Sequence, residues 1–132
     1  THRTMAGNFL ADSFGASVQH IALASEDIFA TSSAMRAKGF EPLPISDNYY
    51  ADLVARFDLD ADMLSALKAG NILYDEDAKG AFFQFYSRPY AGGMFFEIVE
   101  RRGGYAGYGA PNAPFRIAAQ KRLMRPKGMP KI

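Results

Sequence analysis

Alternating apolar and polar residues, together with short apolar runs, predict five strands in this chain. They cover residues 17–24, 40–45, 72–75, 81–88 and 94–101. Pro42 and Pro44 limit the second strand to a sheet edge or an irregular course, because proline lacks the N–H that a ladder needs. Glycine-containing turns separate the last three strands, which predicts hairpin connections between them.

Helix signals fill the gaps between these strands. Ser25 can cap a helix that ends at Gly39, and residues 47–57 form a second helical region. Asp60 can cap a third helix, which extends to Gly70. A last helix is expected from Asn112 or Pro114 to about residue 123, and residues 1–14 form a short amphipathic helix or a linker.

The resulting order is strand, helix, strand, helical insertion and three strands. It predicts an α+β fold built as a curved half-sheet, whose concave side needs a second half-sheet to close it. We divide the chain into a lead-in segment (1–14), a βαβββ module (15–103), and a Gly/Tyr loop with a final helix and a basic tail (104–132).

Three polar residues are predicted to face the concave side among apolar neighbours. These are His20 on the first strand, Gln84 on the fourth and Glu97 on the fifth. An inward carboxylate is costly unless it is paired or binds a cation. A histidine and a carboxylate are two parts of the 2-His-1-carboxylate triad that holds non-haem Fe(II). The alternative for His20 is a satisfied histidine in an apolar strand.

The third ligand of such a triad is absent from the predicted strands. The only other histidine is His2, in a segment without a strand pattern. We therefore expect that this chain does not complete a metal site alone. It begins with Thr1 rather than methionine, and we interpret it as a segment of something longer.

Composition excludes several function classes. Fifteen basic and fourteen acidic residues leave a net charge near +1, which gives no support to nucleic-acid or membrane-surface binding. The absence of cysteine removes disulfide, zinc-thiolate and thiol-nucleophile chemistry. No apolar run has the length of a membrane span, and we expect a cytoplasmic protein. The glycines of residues 103–109 lack the context of a phosphate loop and indicate a turn or lid.

Several motifs, taken in order and spacing, resemble the C-terminal half of 4-hydroxyphenylpyruvate dioxygenase, a member of the vicinal-oxygen-chelate (glyoxalase) superfamily of paired βαβββ modules. The resemblance covers about residues 15–122. It is carried by residues 18–23, 26–28, 48–50, 72–75, 82–86, 95–102 and 107–109. Residues 1–14, 44–50 and 105–114 are further similar to proteins that fuse a 3-dehydroshikimate dehydratase barrel to a dioxygenase-like domain.

The resemblance implies roles for individual residues. His20 and Glu97 correspond to two of the three metal ligands, and the remaining histidine would lie in the preceding module. Gln84 and Tyr86 correspond to substrate-facing positions, where Tyr86 replaces one of two phenylalanines that sandwich the substrate ring. Substrate contacts are also expected from Tyr108 and Asn112.

Two further implications concern the end of the chain. The second phenylalanine of the sandwich is replaced by Ala113, which argues against 4-hydroxyphenylpyruvate itself as substrate. The helix over residues 114–123 is similar to the helix that gates the family's active site.

The implied function is Fe(II)-dependent oxidative decarboxylation of an aromatic 2-oxo acid, with Mg²⁺ or Mn²⁺ as alternative metals. As part of a larger protein the chain would act as a dioxygenase-like enzyme module, or accompany a dehydratase in a fused N-terminal domain. A preceding module, or a second copy of the chain, would complete the barrel. Two alternatives remain open: a degenerate, non-catalytic module supporting the dehydratase, and an interaction domain that dimerises through its open half-sheet.

Overall fold

The computed structural model describes residues 4–12 and 17–124, so the lead-in residues 1–3, with His2, and the basic tail from residue 125 lie outside it. The described elements are α1 (Met5–Asp12), β1 (His20–Ala24), α2 (Ile28–Ala37), α3 (Asp47–Arg56), α4 (Ala61–Ala69), β2 (Leu73–Glu76), β3 (Gly80–Tyr86), β4 (Phe95–Gly103), a 3₁₀ turn (Ala110–Asn112) and α5 (Ala113–Leu123).

The four strands form one open sheet in the order β1-β4-β3-β2. The hairpin strands β2, β3 and β4 are antiparallel, whereas β1 lies parallel to β4. A parallel neighbour needs a crossover connection, and the chain between β1 and β4 contains α2, the helical insertion (α3 and α4) and the strands β2 and β3. The predicted α+β, βαβββ arrangement is confirmed.

The predicted strand over residues 40–45 is wrong. Only Pro42 makes a bridge, to Ser87, and the surrounding backbone is irregular. The two prolines explain this, since neither can donate to a ladder. Leu43 instead donates its N–H to the carbonyl of Tyr86 at 2.8 Å, and its side chain is buried.

The predicted cap at Ser25 is also displaced. Helix α2 begins at Ile28, and its cap is Asp27, whose carboxylate accepts from the N–H of Ala30 at 3.1 Å. The Ser25 hydroxyl lies 2.7 Å from that of Thr31, so it braces the turn before the helix. The predicted cap of α4 is confirmed, because Asp60 accepts from the N–H of Met63 at 2.7 Å.

The two faces of the sheet have different environments. On one face Phe83, Phe85 and Ile98 pack with buried residues of α2, α3 and α4 to form the main core. The other face carries a smaller cluster of Phe82, Val99 and Tyr105. Every residue of β1 is exposed, because β1 is an edge strand with little packed against it. None of the helices within residues 4–12 and 17–124 is long and apolar enough to cross a membrane.

Candidate metal centre

A cavity of about 420 Å³ lies on the face of the sheet away from the main core. Its floor comes from β1, β3 and β4, and its rim from the loop after β4 and the start of α5. The lining residues are His20, Ala22, Phe82, Tyr86, Phe95, Glu97, Val99, Arg101, Tyr108, Gly109, Ala110, Ala113 and Arg116.

His20 and Glu97 meet in this cavity because β1 and β4 are neighbours. The parallel register places Ala22 beside Glu97 and His20 beside Phe95, so both polar side chains emerge on the same face. His20 Nε2 lies 3.8 Å from Glu97 Oε2, which is too long for a hydrogen bond. The imidazole stacks on the Phe95 ring with centroids 5.0 Å apart and planes 6° from parallel, which sets its orientation.

The Gln84 amide fixes the other oxygen of the carboxylate. Its Nε2 donates to Glu97 Oε1 and to the Tyr86 hydroxyl, each at 2.7 Å. Its Oε1 accepts from Asn112 Nδ2 at 2.8 Å. Gln84 is 1% exposed, so these bonds are made away from water. Glu97 is therefore held by one oxygen and turns the other towards His20.

The hydrogen-bond chain continues from Asn112 into the helical insertion. Asn112 Oδ1 accepts from the Tyr49 hydroxyl at 2.8 Å, and that hydroxyl accepts from the N–H of Tyr74 at 2.7 Å. When the Tyr49 hydroxyl donates to Asn112 rather than to the Tyr74 carbonyl oxygen 3.0 Å away, each donor points towards Glu97, and bonds aligned in this way strengthen one another. The hydrogen-bond chain ends on the Glu97 carboxylate, whose Oε1 accepts from the Gln84 amide.

Gly109 allows the loop after β4 to approach the hydrogen-bond chain at Gln84. It adopts φ +71°, and a Cβ added there would overlap Gln84 Oε1 and the Phe82 ring. Its N–H donates to the Tyr105 hydroxyl at 3.1 Å, and that hydroxyl donates to Asp75 at 2.6 Å. Burial and the bond to Asp75 raise the pKa of Tyr105 to about 12. The glycine-rich segment is thus a packed wall of the cavity at this point.

The four predicted substrate-binding residues separate into two pairs. Tyr86 and Tyr108 line the cavity, Tyr86 on its floor and Tyr108 on its exposed rim. Gln84 and Asn112 lie behind its wall, and their amides are engaged with each other. Substrate contact by these four residues stays a prediction.

Sequence reasoning did not identify two cationic residues of the cavity, Arg101 and Arg116. Arg101 shares the strand alternation of Phe95, Glu97 and Val99, which was a usable signal. Arg116 lies one helical turn after Ala113, so its direction depends on where α5 docks. The role of Tyr49 depends on a contact with Asn112, 63 residues away, that no local pattern reports.

The donor set fits a divalent metal. Imidazole nitrogen and carboxylate oxygen are ligands for iron, manganese and related ions. Metal–ligand distances of about 2 Å allow one ion to contact both His20 Nε2 and Glu97 Oε2 across their separation. No cluster of three or more histidine, cysteine or acidic residues with metal-binding geometry occurs in the described part of the chain. A third protein ligand would have to come from outside that part.

Comparison with known proteins gives the chain its relatives. It is 47% identical over 112 residues to a 3-dehydroshikimate dehydratase of Pseudomonas aeruginosa. The matched region covers 84% of this chain and 18% of that protein. It is 35% identical over 107 residues to 4-hydroxyphenylpyruvate dioxygenase of Legionella pneumophila, covering 79% of this chain and 30% of the enzyme. The chain thus spans less than a third of these relatives. No protein-family model matches it.

Solved structures give the same assignment. A fusion of a xylose isomerase-like TIM barrel with 4-hydroxyphenylpyruvate dioxygenase matches with a TM-score of 0.77 and 45% identity, over 83% of this chain and 18% of that one. A mutant 4-hydroxymandelate synthase from Streptomyces coelicolor matches with a TM-score of 0.81 and 29% identity, over 94% of this chain and 35% of that one. By sequence and by structure, the chain is similar to the dioxygenase-like part of these proteins, and its fold is the βαβββ module of the vicinal-oxygen-chelate type.

Proposed function

We propose that this module supplies two ligands, His20 and Glu97, to a divalent metal site of a larger protein, and that the site oxidatively decarboxylates an aromatic or related 2-oxo acid. The observation that carries the proposal is the arrangement of these two side chains. They come from adjacent parallel strands, face one cavity, and have donor atoms 3.8 Å apart. Fe(II) is the expected metal, and Mg²⁺ or Mn²⁺ would suit the same donors.

The residues of the chain divide the work at such a site. His20 binds through Nε2, in an orientation set by the Phe95 ring. Glu97 binds through Oε2 while Gln84 holds Oε1. The apolar side chains of Phe82 and Val99 exclude water from one wall. A bound Fe(II) would supply Lewis acidity and dioxygen activation, and the protein's contribution is to leave positions open for substrate and oxygen.

The preceding module is part of the proposal. The exposed edge strand β1 and the open side of the cavity are surfaces that a second βαβββ unit would cover. Such a unit would contribute the third protein ligand. The solved fusion of a xylose isomerase-like TIM barrel with 4-hydroxyphenylpyruvate dioxygenase supports this context, since the chain covers only 18% of it.

Oxygen consumption by the full-length protein tests the proposed reaction. After anaerobic loading with Fe(II), we expect oxygen uptake and release of CO₂ with at least one member of a panel of 2-oxo acids. A His20→Ala, Glu97→Ala double variant should show neither. Bound iron without turnover of any acid in the panel would favour the degenerate module, and absence of bound metal would overturn the proposal.

The choice of substrate gives a second, narrower test. Ala113 lines the cavity where the resemblance expects a phenylalanine, so half of an aromatic clamp is missing. We therefore expect weak or no turnover of 4-hydroxyphenylpyruvate by the full-length protein. Robust homogentisate formation, measured by chromatography, would contradict this expectation.

A further inference from the structure

The cavity has an excess of positive charge that two metal ligands do not explain. Glu97 is the one carboxylate among its lining residues, whereas Arg101 and Arg116 both contribute guanidinium groups. Within the described residues, neither guanidinium has a carboxylate within 4.0 Å. The arginines that are paired lie elsewhere: Arg56 with Asp52 and Asp75, Arg88 with Glu41, and Arg102 with Glu100.

Arg116 is held in place without being neutralised. Its Nη1 donates to Gln120 Oε1 at 2.9 Å, one turn along α5. Its Cζ lies 5.2 Å from the centroid of the Phe95 ring and 5.8 Å from that of Tyr86. Ring faces attract a cation but leave its charge uncompensated. A guanidinium has five N–H donors, so several remain for a ligand.

Arg101 is positioned in the same manner from the other side of the cavity. Its Cζ lies 4.9 Å from the centroid of the Phe82 ring, and Nη2 donates to the carbonyl of Gly107 at 3.1 Å. Both arginines are therefore oriented by aromatic rings and neutral acceptors. This leaves two fixed cations at the rim of one cavity.

Tyr86 adds a polar group between the cations and the metal ligands. Its hydroxyl oxygen accepts from Gln84 Nε2, which leaves the hydroxyl proton for another acceptor. A tyrosine hydroxyl is protonated at neutral pH, so it can donate this bond. A phenylalanine at this position would offer no such bond.

We propose that the ligand of this cavity is a 2-oxo acid with a second anionic group, bound at the metal end by its 2-oxo carboxylate and at the rim by Arg116. This inference rests on the proposed function and narrows its substrate class. Phe95 connects the two ends, because His20 stacks on its ring and Arg116 lies against it. A small diacid can therefore contact both.

A matched pair of acids tests the second charge. 2-Oxoadipate and 2-oxohexanoate have the same carbon chain and differ by a terminal carboxylate in place of a methyl group. Titration calorimetry on the full-length protein, metal-free and loaded with Mn²⁺, should give at least about tenfold tighter binding of 2-oxoadipate, as expected for one charge-assisted hydrogen bond. Arg116→Gln should remove that preference. Arg122→Gln, an exposed change on the same helix, should retain it.

The outcomes separate this inference from the proposed function. Mn²⁺ binding with equal affinity for both acids would overturn the second anionic group while leaving the metal site intact. A preference for 2-oxoadipate that Arg116→Gln removes, in a protein that binds no metal, would support the diacid and overturn the metal site. A preference that survives in Arg116→Gln would overturn the assignment to Arg116.

Discussion

Strand β4 carries two buried carboxylates, and their surroundings differ in a way that separates structure from function. Glu100 is 6% exposed and faces the helices, where its Oε1 accepts from the N–H of Ile28 at 2.7 Å and its Oε2 binds Arg102. Glu97 is 8% exposed and faces the cavity, where it has one neutral donor, Gln84. Glu100 is satisfied by the fold itself, because it neutralises an arginine and the positive end of α2. The other oxygen of Glu97, Oε2, faces His20 and is the atom that we propose binds the metal.

The largest effect on stability should come from replacing each of these two carboxylates with alanine in turn. Glu100→Ala leaves the N–H of Ile28 without its partner and should lower the free energy of unfolding by about 3 kcal/mol. Glu97→Ala removes only one of two acceptors of the Gln84 amide, and also a desolvated charge, so its cost should be about 1 kcal/mol or less. Urea unfolding of the metal-free protein measures both. An equal loss would contradict the contrast between the two residues.

The hydrogen-bond chain behind Glu97 gives the next effect. Asn112 is fully buried and serves both Gln84 and Tyr49. Asn112→Ala should destabilise the protein by about 2 kcal/mol, because two buried polar groups lose a partner. Asn48→Ala, an exposed change on α3, is the control and should stay within about 0.5 kcal/mol of wild type. Comparable losses of unfolding free energy in the two variants would argue against a stabilising role for the hydrogen-bond chain.

A variant of Gln84 separates the positioning of the Glu97 carboxylate from the stability of the fold. Gln84→Met keeps the volume but removes the donor to Glu97 Oε1, and metal affinity should fall by about 10- to 100-fold, the range found for groups that orient metal ligands. Ser32→Ala, at a buried polar residue of α2 outside the cavity lining, serves as the control. Unchanged metal affinity in Gln84→Met would show that the amide does not position the carboxylate.

The smallest expected effect is a dependence on alkaline pH. The pKa of Tyr105 is raised to about 12 from an ordinary value of 10.0, so the folded state favours its neutral form. That contribution is complete below pH 10 and is lost as the pH rises towards 12. Tyr105→Phe should therefore make the free energy of unfolding fall less steeply in that range, as measured by urea titrations.

The sequence allowed the strand faces to be predicted, but it did not show which distant residues are hydrogen-bonded to each other. Alternation places His20, Gln84 and Glu97 on one face, and the structure brings them together because a strand pattern has only two faces. It could not show that Gln84 is bonded to Asn112, because that bond depends on how the loop after β4 folds back. The strand expected over residues 40–45 failed where two prolines removed the ladder donors.

Metal binding by the full-length protein tests the central claim most directly. Titration of the metal-free protein with Fe(II) under anaerobic conditions should show one site per chain. His20→Ala and Glu97→Ala should each abolish it, and Glu41→Ala, an exposed carboxylate outside the cavity, should leave it unchanged. Folding of each variant is checked by circular dichroism. Wild-type protein that binds no divalent metal, or a His20→Ala, Glu97→Ala double variant that binds as much as wild type, would contradict the account.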